Sequence, residues 1–194
     1  MLGYRITQVV YWVGAALYLG GIVALGVVAA PAIFQTVRET GAGMPGMGAW
    51  INSSQQLGGE IFGNVLIRFR VLEWLCLAMM GLGMVGGWMW GQQRKLGRWV
   101  RVGLLSVLGL LVIYDAVYLT PAVWQARSQW RQASDASHAL ELQRRFDVLH
   151  KQAEGLGHAK MWLLLGLVTV SAWGEVGRRN RQLVRGERLW RGKQ

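Results

Sequence analysis

Glu73 and Asp115 are the side chains best placed to do chemistry, because each acid lies inside a long apolar run. An ionisable group at membrane depth costs roughly 3 kcal/mol or more, so it pairs, faces a polar interior or serves a pathway. Arg68 and Arg70 are close enough in sequence to pair with Glu73, and a helix bundle could bring them to Asp115. Such a cluster either locks helices together or forms a proton or cation site.

The histidines suggest a second chemistry. His138, His150 and His158 all fall in one segment, and no pair has the i, i+4 spacing of a zinc or copper site. His150 and His158 on one straight helix are about 12 Å apart along the axis, too far to share a metal. His150 could instead join Met44 and Met47 of the Gly-Met-Pro-Gly-Met-Gly stretch, since thioether plus imidazole suits cuprous copper. A bis-histidine haem needs histidines facing each other within the spans, and only His158 comes near one, so haem or quinone redox chemistry is the least favoured reading. Cys76 is the only cysteine, which excludes an intramolecular disulfide and a C-x-x-C motif. No nucleophile elbow, phosphate loop or dinucleotide fingerprint is present. No residue is therefore assigned a catalytic or cofactor-binding role.

The elements that must position these groups are membrane helices. The chain has 194 residues, 53% apolar and 16% charged, with 11 tryptophans and a net charge of +11. The charge sits in short clusters beside apolar runs, as topology-setting residues do, rather than in a nucleic-acid-binding patch. Four spans are expected, over about 9–34, 71–90, 100–119 and 158–176. Each is long enough to cross about 30 Å of hydrocarbon. The first is too long for a signal-peptide core, and further spans follow it. Pro31 stands near its end, and Pro121 is expected to stop the third. Gly83, Gly87 and Gly91 place three glycines on one face of the second span, which suits close helix packing or self-association.

Lysine and arginine set the orientation. Arg5, the 94–101 cluster and the tail share one side, which holds 12 of the 21 basic residues; the longer loops opposite mix their basic residues with acids. Both termini are therefore expected in the cytoplasm of a bacterial inner membrane. The basic tail, 177–194, suits anionic headgroups.

Two outer segments, 58–70 and 137–157, have apolar residues at helical spacing. Each is expected to extend the span that follows it. Their stripes, Phe62 to Phe69 and Leu142 to Leu156, are expected to bury each other in a small cap. Gly155 and Gly157 are the expected hinge in the second, and 41–54 is expected to be a loop.

Three blocks carry a likeness to a known family. They are Val28-Ala29-Ala30-Pro31-Ala32-Ile33-Phe34, then Gly59-Glu60-Ile61-Phe62-Gly63 leading to Arg68, then Tyr118-Leu119-Thr120-Pro121 with Arg145-Phe146-Asp147-Val148-Leu149-His150. Over about residues 6–176 the chain resembles the transmembrane protein 205-like family. That likeness implies a four-helix membrane domain without settled chemistry, and it singles out Pro31, Phe34, Phe62, Leu149 and His150. The family is similar in architecture to copper-resistance membrane proteins.

The expected fold is thus an all-α bundle of four transmembrane helices (residues 1–176) with helical extensions on the non-cytoplasmic side. The leading functional expectation is a non-enzymatic, multi-pass protein embedded in the bilayer, self-associating or accessory to other membrane subunits. A small transporter or copper-handling protein is the alternative.

Overall fold

A computed structural model describes the backbone of residues 2–42, 47–89, 95–133 and 136–191, and the side chains of 3–40, 57–89, 97–133 and 137–174. Among these residues there is no strand. The chain divides into two compact units, essentially Tyr4–Gly83 and Met84–Gln194.

The first unit is a helical hairpin. Helix α1 (Leu2–Val23) passes through a π-helical turn, Ala24–Ala29, into α2 (Ala30–Ala42), and α3 (Met47–Met89) returns. Glycines let α1 and α3 approach closely. A Cβ on Gly83 would stand 2.6 Å from the Thr7 carbonyl oxygen and from Tyr11 Cβ. One on Gly14 would stand 3.0 Å from the Cys76 carbonyl oxygen, and one on Gly21 would run into the Phe69 ring. Close backbone approach is how helices associate where apolar burial gives no preference over lipid. Tyr11, Ala15, Tyr18, Cys76 and Met80 are buried in this unit.

The second unit repeats the plan. Helix α4 (Lys95–Tyr114) passes through a π-helical turn, Asp115–Leu119, into α5 (Thr120–Gln132), and α6 (Ala136–Arg191) returns. Leu108, Val112, Leu119, Leu164 and Leu167 are its buried core.

The prolines are handled alike in both units. Pro31 and Pro121 each follow a π turn by one residue. Proline lacks the N–H for an α-helical bond, and its ring clashes with the carbonyl four residues back. Widening the turn relieves the clash. The residue before each proline bonds five residues back: Ala30 N–H donates to Leu25 O, and Thr120 N–H donates to Asp115 O. Pro121 therefore does not stop the third run as expected; the helix passes through it to Gln132.

Among the described residues, three helices are long and apolar enough to cross a membrane: Gly3–Thr40, Gly97–Gln132 and Ser137–Gly174. Only 6% of the most apolar stretch of the first is buried within the chain, and 22% in each of the others. Apolar surface on that scale is far beyond what a water-soluble monomer exposes and is consistent with a membrane protein. Helix α3 is not among the three.

Several expectations about the outer segments change. Helix α6 is one α-helix through Gly155 and Gly157, so neither glycine is a hinge. Residues 47–54 belong to α3 instead of a loop, while 43–46 lie outside the described residues. The α6 backbone also continues through most of the expected tail, to Arg191. The outer stripes meet partners in their own hairpins: Phe62 of α3 lies 6.4 Å from Phe34 of α2, and Phe146 of α6 stacks at 5.7 Å on Trp130 of α5.

Candidate functional site

Each hairpin buries one acid and gives it a specific partner. In the second unit, Lys160 Nζ lies 2.7 Å from Asp115 Oδ2, with side chains only 7% and 15% exposed. The Thr120 hydroxyl donates to the other carboxylate oxygen, Asp115 Oδ1, at 3.0 Å. Asp115 opens the π turn and Thr120 closes it, so the turn brings this acid and this hydroxyl together. Lys160 reaches them from α6, one helix away.

In the first unit, the Tyr18 hydroxyl donates to Glu73 Oε1 at 2.9 Å. Tyr18 is fully buried and Glu73 is 5% exposed. Here a phenol donates to the carboxylate from the facing helix, across 55 residues of sequence.

Asp115 is paired with Lys160, and Arg68 is exposed. Lys160 is the charged residue that sequence reasoning overlooks, although it falls inside the 158–176 run, and a lysine within such a run is the signal that reveals it. Arg101 is a second case. Read as part of a cytoplasmic loop, it is instead buried on α4, where Nη2 donates to the Ser171 carbonyl at 2.8 Å. Gly174 makes room for it, since a Cβ there would stand 2.7 Å from that nitrogen.

Chemically, Lys160 and Asp115 form an acid–base pair shielded from water. Coulomb attraction is strong where the dielectric is low, but so is the desolvation cost. A metal cation at Asp115 would have to compete with a tethered ammonium. Transfer of one proton from Nζ to Oδ2 neutralises both partners and lets them separate without leaving a buried charge.

The other sequence candidates are placed as follows. His150 is exposed; its ring stacks on Phe146 at 5.5 Å and 11°, and its Nε2 lies 3.3 Å from Glu154 Oε1 one turn on. Leu149 beside it is half-buried. Met44 and the Met47 side chain lie outside the described residues. Among the described residues, no three His, Cys, Asp or Glu side chains converge as a metal site would need. Phe34 packs on Phe62 and against Gly58, where a Cβ would stand 2.8 Å from its ring. Gly83 faces α1 of its own hairpin, so that glycine serves packing within the chain rather than a face for a second copy.

One internal recurrence escaped the motif reading. Val27, Pro31, Ala32, Ile33, Phe34 and Gln35 recur in the same spacing as Val117, Pro121, Ala122, Val123, Trp124 and Gln125. The helices that begin at the two copies, α2 and α5, each have 13 residues. Comparison with known proteins adds nothing to this site: no family model, no curated protein and no solved structure matches the chain.

Proposed function

We propose that the chain is a four-span protein of the bacterial inner membrane, with both termini cytoplasmic, and that it is a small proton-linked transporter rather than an enzyme. The membrane assignment rests on the three apolar helices. Helix α3 is the fourth span in this reading, supported by the exposure of Val71, Leu82 and Met89 along its apolar run. The lysine and arginine excess on one side supports the orientation. The likeness to the transmembrane protein 205-like family belongs to the same proposal, and the Phe34–Phe62 contact gives two of its motif residues a packing role.

The observation that carries the transport reading is the Lys160–Asp115 pair. A charged pair within an apolar span marks a pathway by default, because stability alone is served as well by two apolar side chains. Its test is proton flux. Purified protein is reconstituted in liposomes carrying an internal pH-reporting dye, and a potential is imposed with potassium and valinomycin. Proton entry above that of protein-free liposomes, abolished by Asp115→Asn, is the expected result. Flux equal to that of protein-free liposomes overturns the reading. Metal analysis of the same preparation decides whether copper, through Met44, Met47 and His150, is the cargo. Reporter fusions at both termini and in each loop test the topology.

A further inference from the structure

Where α4 begins, the second unit exposes three tryptophans, Trp88, Trp99 and Trp173. Trp99 and Trp173 stand at the ends of the apolar helices Gly97–Gln132 and Ser137–Gly174. Over the Trp88 ring lies the Arg98 guanidinium, 5.5 Å from the ring centroid. Stacking covers a face of the guanidinium and leaves its N–H donors directed outward in the plane. Arg98 is half-buried, and among the described residues no group accepts a hydrogen bond from it. One turn further along α4, Arg101 sends Nη2 to the Ser171 carbonyl, a neutral acceptor. Gly174, next to Trp173, makes room for it. Between Glu73 and Asp115 the sequence holds no acid, against Arg94, Lys95, Arg98 and Arg101. The same ring contact recurs at Arg127 over Trp124, at 5.7 Å, but Arg127 has a further interaction within the protein.

We propose that Arg98, stacked on Trp88 with Arg101 one turn deeper, binds the headgroup of an anionic phospholipid. The proposal rests on the membrane reading given above and not on transport. The two free oxygens of a phosphodiester match the planar fork of a guanidinium. Indole rings favour the headgroup level, where one part of the ring is apolar and the N–H is wet. Trp99 and Trp173 therefore supply apolar surface that a lipid covers with its glycerol and upper acyl chain, whereas a free phosphate ion leaves it bare. A headgroup without an ammonium delivers a full negative charge to the two arginines. A choline headgroup brings its own cation to a positive surface and is disfavoured there.

The test is native mass spectrometry of the full-length protein in a neutral detergent, with dioleoyl phosphatidylglycerol or dioleoyl phosphatidylcholine added at matched concentration. The parent is expected to retain phosphatidylglycerol preferentially. Arg98→Gln is expected to weaken that retention about tenfold, the loss of one charge-assisted hydrogen bond. Trp88→Leu is expected to weaken it roughly threefold, the loss of a cation–π contact at an exposed site. Arg127→Gln, at the other arginine–tryptophan pair, is expected to leave it unchanged. Equal retention of the two lipids by the parent overturns the proposal. So does a preference that survives Arg98→Gln and disappears when Arg178, Arg179, Arg181 and Arg185 of the tail become glutamine, which makes the lipid contact diffuse. If Arg98→Gln does not fold, Trp88→Leu decides alone, and parent-like retention overturns the proposal. Retention is read without a proton gradient, so it stands or falls apart from the flux result. A protein that stays monodisperse without detergent rejects the membrane reading and this site with it.

Discussion

Lys160 Nζ and Asp115 Oδ2 are 2.7 Å apart on two neighbouring helices, and both side chains are nearly sealed from solvent. Truncating one partner leaves the other charge buried alone, at a cost of about 3–5 kcal/mol. Lys160→Met is therefore expected to lower the thermal midpoint in detergent sharply. The double variant Lys160→Met/Asp115→Leu is expected to recover most of that loss while carrying no proton flux. If the double variant is no more stable than the single one, the pair is not the source of the loss.

The Tyr18–Glu73 bond makes a smaller and differently shaped prediction. Tyr18→Phe removes one hydroxyl from a fully buried site and changes little else. The expected cost is about 1–3 kcal/mol, that of leaving a charged acceptor short of a donor. Glu73→Gln keeps an acceptor oxygen, so adding Tyr18→Phe to it should cost less than in the parent. A double-mutant cycle by chemical denaturation measures the difference, and equal costs in both backgrounds show that the two residues do not interact.

The acids were legible in the sequence; their partners were not. Glu73 and Asp115 stand out because a carboxylate in an apolar run conflicts with its surroundings. Tyr18 does not, since a tyrosine in such a run packs as core until a carboxylate is found across from it. Lys160 lies near the edge of its span, where a long side chain can reach water, and charge counting alone places it with the outer loop. The prolines mislead for a related reason. A single proline reads as a helix end, whereas the pair with matching neighbours points to a recurring unit that accommodates proline in a widened turn. The outer stripes are legible as apolar faces, but periodicity cannot say which helix covers them; Phe34 and Trp130 do so because each hairpin folds back on itself.

The glycines separate packing from mere abundance. A Cβ on Gly83 meets backbone at 2.6 Å, which cannot move aside, whereas a Cβ on Gly81 meets nothing within 4 Å. Gly83→Ala is expected to cost about 1–3 kcal/mol by forcing α1 and α3 apart. Gly81→Ala should be neutral or slightly stabilising, since alanine favours the helix. Gly174→Ala should fall between them, because the atom it meets is the far end of the Arg101 side chain. Thermal melts of the three variants give the order, and equal losses at Gly81 and Gly83 contradict it.

The two prolines should respond differently to the same substitution. Pro31→Ala and Pro121→Ala each restore an N–H and remove a ring that opposes the α register, a change of up to about 3 kcal/mol in a helix interior. The first π turn has only its backbone to hold it, so Pro31→Ala is expected to let Ala24–Ala29 become α-helical and to raise the thermal midpoint. The second turn is also held by Thr120 and Asp115, so Pro121→Ala alone should gain less. Removing the hydroxyl as well, in Thr120→Val/Pro121→Ala, should release the remainder. Hydrogen exchange at residues 26–31 and 116–121 follows each turn separately. Equal gains from the two single alanine variants contradict a side-chain hold on the second turn.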